Sequence, residues 1–211
     1  YGMKIQRAAG NTSTNSIHAA QILHSSESAA LAGQTVTFAL NIKAGANFSA
    51  ASSQVLMQVV SGTAADEGAA SYLADTWTGK TTLVSTLKTI STTMAQVYVT
   101  AAVPAGCREL CVGVEWAPVG TAGADDSITI ELAQVNVGST PGEFEVLPDV
   151  VSLLRCQQFY RKSYDPDVAP GTVTNNGALT WASTISGTGT CYGFVGNLGT
   201  YMRATPTRTA Y

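Results

Sequence analysis

At 211 residues and a net charge of -3, with its Lys and Arg residues dispersed, the chain carries no basic cluster that could serve as a footprint for a nucleic-acid backbone. Only 12% of its residues are Asp, Glu, Lys or Arg, about half of the roughly 25% usual in soluble domains. No apolar run approaches the roughly 18 residues that cross a bilayer, and the start YGMKIQRAAG lacks a signal-peptide core, which argues against membrane insertion.

Polarity comes from Ser, Thr, Asn and Gln instead of charge. A surface of neutral hydroxyls and amides suits burial against other copies of the chain, so an oligomer is expected. The chain begins at Tyr1 and ends in TPTRTAY, which reads as the opening of another strand. A piece of a longer polypeptide is expected.

Met3 and Ile5 alternate with Lys4 and Gln6, the period of a half-buried strand. Residues 10–16 are a turn cluster, and residues 17–24 give a second short strand. Gly33 introduces a third over residues 34–43, in which Val36, Phe38, Leu40 and Ile42 share one face. Residues 44–53 are small and polar, a loop. Val55, Met57 and Val59 mark a fourth strand that ends at Gly62. The stretch 63–80 is longer than a compact domain leaves without structure unless it has work to do. Strands are predicted at 81–89 and 94–100, then over Leu110, Val112, Val114 and Trp116, and finally from Ile128 to Val137, with Gly, Pro and Ala loops between them.

Past Pro148 the pattern changes. Asp149 is placed to cap a helix, and Val150, Leu153, Leu154 and Gln157 follow at helical spacing, an apolar stripe expected to pack on the preceding domain. FYRKSY reads as a strand, and alternation resumes from Gly177. The expected architecture is all-β: an antiparallel jelly-roll sandwich over residues 1–147, a linker helix and strand over 148–164, and the start of a second β-rich domain over 165–211. Strands never alternate with helices of 10–15 residues, which disfavours a parallel α/β sheet.

Chemistry-bearing constellations are scarce. Cys107 and Cys111 lie four apart, about 13 Å along a strand at ~3.3 Å per residue, too far for a disulfide. Cys156 and Cys191 are isolated, and His18 and His24 lie far from any cysteine pair, so zinc spacing is absent. No Gly-x-Ser-x-Gly elbow accompanies the histidines, which are expected on a surface or interface. Hydrolysis by two carboxylates would draw on Asp125, Asp126, Glu131, Glu143 and Glu145, all at loop or strand-exit positions where acids are ordinary. Tyr72, Asp75 and Trp77 in the long loop are the types that bind a sugar, an aromatic plane bordered by a hydroxyl acceptor. The alternative for Trp77 is a plug at the end of the sandwich, and for Trp116 a place in the core.

Two segments carry a resemblance. GQTVTFALNIKAG resembles an early core strand of a recurring module of bacteriophage tail fibres and virion spikes. ADDSITIELAQVNVGSTPGEFEVLPDVVSLLRCQQFYRKSYD resembles that module's closing signature, a strand meeting a Gly/Pro/Phe turn and then an acidic helix start and a Cys-Gln-Arg-Tyr-Tyr run. Here that run is Cys156, Gln157, Gln158, Phe159, Tyr160, with Gln158 in the place of Arg and Phe159 in that of Tyr. The stretch Met202, Arg203, Ala204, Thr205, Pro206, Thr207 is similar to a downstream strand of the family. The resemblance implies a galactose-binding-like or carbohydrate-binding-like jelly roll. It would be a non-enzymatic structural protein on the surface of the virion (tail fibre, spike or head decoration), a homotrimer among other virion proteins, presenting a host-receptor or glycan contact. No cofactor is expected apart from a structural calcium, which jelly rolls of this kind often hold and to which Asp125 and Asp126 would contribute. A carbohydrate-binding module of a secreted bacterial enzyme is the alternative.

Overall fold

The computed structural model describes residues 2–157, 160, 167–169 and 171–173. The chain divides into two compact units, Tyr1–Phe144 and Glu145–Tyr211. In the first, eight strands form two antiparallel four-stranded sheets: β1 (Met3–Gln6), β2 (Ile17–Ile22), β3 (Thr35–Ala44), β4 (Gln54–Gly62), β5 (Thr81–Thr89), β6 (Ala95–Ala102), β7 (Glu109–Trp116) and β8 (Ser127–Val137). The first sheet has the order β1-β8-β3-β6 and the second β2-β7-β4-β5. Only the β4–β5 hairpin stays within one sheet; every other connection between successive strands crosses to the opposite sheet, the winding of a jelly-roll sandwich.

Alternation builds the core. Val36, Phe38, Leu40 and Ile42 of β3, with Ile128 and Ile130 of its neighbour β8, face Val55, Met57 and Val59 of β4 and Leu110, Val112, Val114 and Trp116 of β7 in one buried cluster. Interdigitated apolar faces of two sheets are what drive such a sandwich together. The β3–β8 register shifts between Ala39 and Asn41, and Leu132 of β8 takes a φ of 49° with its side chain exposed, a bulge that bends the strand.

Burial on the outer face of β3 has a separate cause. Thr37 and Ala39, alternating with the core residues, are nonetheless fully buried. After β8 the chain turns at Gly138 (φ 117°) and runs back as a strap over residues 138–144. Thr37 Oγ1 donates to the Gly138 carbonyl at 2.8 Å, Gln134 Nε2 to Gly142 O at 2.7 Å, and Asn136 Nδ2 to Thr140 O at 3.0 Å, while Gly142 N donates to Asn136 Oδ1 at 3.1 Å. The side-chain amides of β8 satisfy a backbone that has no strand partner.

Two short helices lie outside the predicted elements, one of them inside the long loop 63–80. Helix α1 (Ser25–Ala30) follows β2, and its N-cap is His24, whose ring nitrogen accepts from Ser26 N at 3.1 Å. Helix α2 (Ala69–Leu73) lies inside 63–80. In the second unit, α3 (Asp149–Gln157) begins at Asp149 itself: Val151 N and Ser152 N bond the Pro148 carbonyl, so Asp149 is a first-turn charge at the positive end of the helix and not its cap. No residue of α3 is buried. The predicted strand over FYRKSY and the partial β domain over 165–211 lie outside the described residues, apart from a few isolated positions.

Gly45 sets a close approach between the β3 exit and the β8 entry. A Cβ there would meet the Asp125 carbonyl and the Ser127 hydroxyl and would sit 2.8 Å from Asp125 Cγ. Gly45→Ala is therefore expected to cost about 1–3 kcal/mol through overpacking against backbone, read as a lower denaturant midpoint at unchanged slope.

Candidate binding face

The loop 63–80 folds onto the outer face of the second sheet. Val60 and Cys111 are cross-strand partners there, and Trp77 packs on them with Ile22 and Tyr72 at the margin. Tyr72 meets Trp77 edge-on at 5.2 Å between centroids. Lys80 closes the arrangement: its Nζ donates to Tyr72 O at 3.1 Å, pairs with Asp75 at 2.8 Å and stands 4.3 Å from the centre of the Tyr72 ring. Glu67 accepts from the Thr78 amide and hydroxyl, which ties the two arms of the loop together.

Tyr72, Asp75 and Trp77 thus meet, but not as a platform. Trp77 is 4% exposed, so no pyranose can lie on its face; it is the plug. Lys80 stands over the Tyr72 ring, and Asp75 is spent on Lys80. Burial pushes the Cys111 thiol up to about 11 despite its hydrogen bond with Tyr72. Burial, chiefly, also raises the Tyr72 phenol above its ordinary value, helped by Cys111 and by the negative charges of Glu115 and Asp75. Both groups stay protonated at neutral pH and carry no nucleophile.

Asp125 and Asp126 are likewise committed to internal bonds. Asp126, fully buried, pairs with Arg7 at 2.7 Å and accepts from Ser49 N at 3.0 Å and Ser49 Oγ at 2.8 Å. Arg7 also donates to the carbonyls of Asn11, Ser13 and Gly120. This one guanidinium gathers the β1 exit and three loops. Asp125 pairs with Lys4 at 2.8 Å and accepts from Ser127 Oγ at 2.8 Å and Ala46 N at 3.1 Å. With donors on both oxygens of each carboxylate, the two do not fit a calcium ion. Among the described residues no group of three or more His, Cys, Asp or Glu side chains could hold a metal.

The Lys4 and Ser127 hydrogen bonds, with the Ala46 amide, hold the Asp125 carboxyl down to about 2 from its ordinary 3.8. A carboxyl depressed in the folded state stabilises above its unfolded pKa and loses that contribution as pH falls through the folded one. Stability should therefore drop between about pH 4 and pH 2, and Asp125→Asn should flatten that part of a pH series of denaturant midpoints.

Below the plug the second sheet stays open. Register places His18 beside Glu115, Glu115 beside Leu56, and Leu56 beside Leu87; the neighbouring row is Ala20, Gly113, Gln58, Ser85. His18 Nδ1 lies 3.6 Å from Glu115 Oε2, and Leu87 is 56% exposed. At Gly113 a Cβ would come within 2.8 Å of the Ala19 carbonyl, so the floor of this face is low and only glycine fits it. Nothing in the spacing of Gln58, Glu115 and His18 along the chain marks them as a group. The signal the sequence does carry is that Gln58 and Glu115 point outward between core residues of their strands.

No protein-family model matches the chain, and no curated protein matches it. Solved structures similar to it include one described as "CBM4 structure and function", at 13% identity and a TM-score of 0.40, covering 65% of this chain and 71% of the other. Another is described as "EclA C-terminal domain; sugar-binding protein", at 8% identity and a TM-score of 0.32, covering 60% of this chain and 80% of the other.

Proposed function

We propose that the chain is a non-enzymatic structural module of a bacteriophage virion, in a tail fibre, spike or head decoration, assembled as a homotrimer among other virion proteins and placed to contact a host glycan. What supports the reading is that the part of the closing segment in the first unit is fastened to itself by side-chain amides. Strand β8 runs into the Gly138 turn, Gln134 and Asn136 fasten the strap, and α3 follows. Asp75, Asp125 and Asp126 are engaged in internal ion pairs, and Lys80 stands over the Tyr72 ring.

Two measurements test this. Light scattering on the full chain should give three times the 21.8 kDa chain mass, and gold-labelled antibody should decorate intact particles; a monomer, or bare particles, overturns the respective part.

The open face favours glycan contact as a second element. Glu115, Gln58 and His18 offer hydroxyl partners on a flat floor, the chemistry a carbohydrate-binding module of a secreted enzyme would also use. Glycan-array binding should weaken roughly thirtyfold on Glu115→Gln with Gln58→Ala, since each lost hydrogen bond is worth about 1 kcal/mol. Binding unaffected by the pair places the contact elsewhere.

A further inference from the structure

Glu109, the first residue of β7, is fully buried, yet its Oε1 has no hydrogen-bond partner. The other oxygen, Oε2, accepts from Ser25 Oγ at 2.6 Å and from Asp66 N at 3.0 Å. Ser25 Oγ also lies 3.0 Å from Asp66 Oδ1 while accepting from Asp66 N at 2.8 Å. One hydroxyl proton therefore faces two carboxylates. No ion pair between described residues reaches Glu109.

An ionised carboxylate taken wholly out of water is strongly destabilising unless a cation joins it. The donors that converge here are all hard oxygens, from three separate elements: the start of α1, the loop 63–80 and the start of β7. The nearby Cys107 thiol is turned to the Glu109 carbonyl at 3.3 Å, which leaves no soft donor in the set. Hard, flexible, carboxylate-rich sets of this kind suit Ca²⁺, which takes six to eight oxygens at about 2.3–2.6 Å and completes its shell with water and peptide carbonyls. Mg²⁺, with its demand for a tight octahedron, suits a strained loop poorly.

We propose that Glu109, Asp66 and Ser25 form a calcium site that fastens the loop 63–80 and helix α1 to the second sheet. Asp66 holds a φ of 61°, a backbone conformation that side-chain residues rarely adopt, and the ion would compensate it. The site is distinct from the Asp125 and Asp126 pair, and the ion would hold Trp77 in place from beside it.

Terbium provides the probe, because Trp77 lies close enough to sensitise it. A Cβ built at Gly62 would lie 3.2 Å from the Trp77 ring and 3.6 Å from Glu109 Cβ. The full chain, freed of metal by chelation, should show tryptophan-excited terbium emission that Ca²⁺ displaces and Mg²⁺ does not. Its melting temperature should rise by about 5–10 °C at a hundredfold excess of Ca²⁺ over Kd. Glu109→Gln should abolish both signals; should that variant fail to fold, Asp66→Asn, which keeps its backbone amide bonds, should weaken them at least tenfold. Absence of emission and of a thermal shift in the parent chain overturns the proposal. So does a response that survives in both variants, which would put the ion elsewhere. A Glu109→Gln protein that is more stable than the parent, with neither form responding to Ca²⁺, would mean that the carboxyl is buried protonated and would equally overturn the site.

Discussion

Arg7→Ala is expected to destabilise the sandwich by about 3–5 kcal/mol, the range for removing one partner of a buried ion pair. Arg7 and Asp126 have side-chain exposures of 4% and 0%, so the stranded carboxylate cannot recover water. The carbonyls of Asn11, Ser13 and Gly120 lose a donor in the same step. For a chain of this size the melting temperature should fall on the order of 10 °C. Two controls isolate the cause. Arg7→Met combined with Asp126→Asn should be more stable than Arg7→Ala, because no uncompensated charge remains. The effect should also be insensitive to salt, whereas loss of the exposed Lys4–Asp125 pair should shrink as ionic strength rises. An Arg7→Ala protein within about 1 kcal/mol of the parent, the size of an exposed pair, would show that the guanidinium is not the clasp of this end of the sandwich.

That clasp is invisible in the sequence, although most of the fold is not. Strands β3, β4 and β7 alternate apolar and polar residues so regularly that face and extent can be read directly, β8 does so only up to its bulge at Leu132, and the helix after Pro148 follows from its spacing. Arg7 and Asp126 are 119 residues apart, and nothing local distinguishes a buried arginine at a strand end from a solvated one. Helix α1 escapes a sequence reading because SSESAA is short and serine-rich. What holds it is tertiary: Ser28 is fully buried and its hydroxyl accepts from Leu110 N at 3.0 Å. Thr37 and Ala39 read as the solvent side of β3 and are covered by a strap whose anchoring amides look like ordinary surface residues. In the loop 63–80 residue types are informative and burial is not. A tyrosine, an aspartate and a tryptophan in one loop describe a sugar platform and a capped plug equally well, and the burial of Trp77, with Lys80 over the Tyr72 ring, decides between them. Glu109 is inconspicuous for the same reason, since an acid opening a strand is ordinary until both of its oxygens are found under the surface.

Trp77→Ala tests the plug. Truncating a tryptophan that is 4% exposed should cost about 3–5 kcal/mol if the loop 63–80 unfolds together with the sandwich. If the loop opens alone, the global loss should be smaller and the local consequence at Cys111 larger. The thiol now stands at about 11, chiefly through burial. Returned to its ordinary value of 9.0, it would hold about a hundredfold more thiolate at pH 8, and thiolate is the reactive form. Peptide-resolved alkylation at that pH should therefore modify Cys111 at least a hundredfold faster in Trp77→Ala than in the parent. Cys107, buried in the main core, should stay protected, and the exposed Cys156 should react alike in both proteins. Trp77→Phe keeps an aromatic plug and should leave Cys111 close to the parent rate. Glycan binding on the face of His18, Gln58 and Glu115, where it occurs, should survive Trp77→Phe, because Trp77 shapes that face from beneath the loop and offers no ring surface of its own to a sugar. A Trp77→Ala chain that is as stable as the parent and keeps Cys111 shielded would remove the plug from the account and restore Trp77 as a candidate for direct contact.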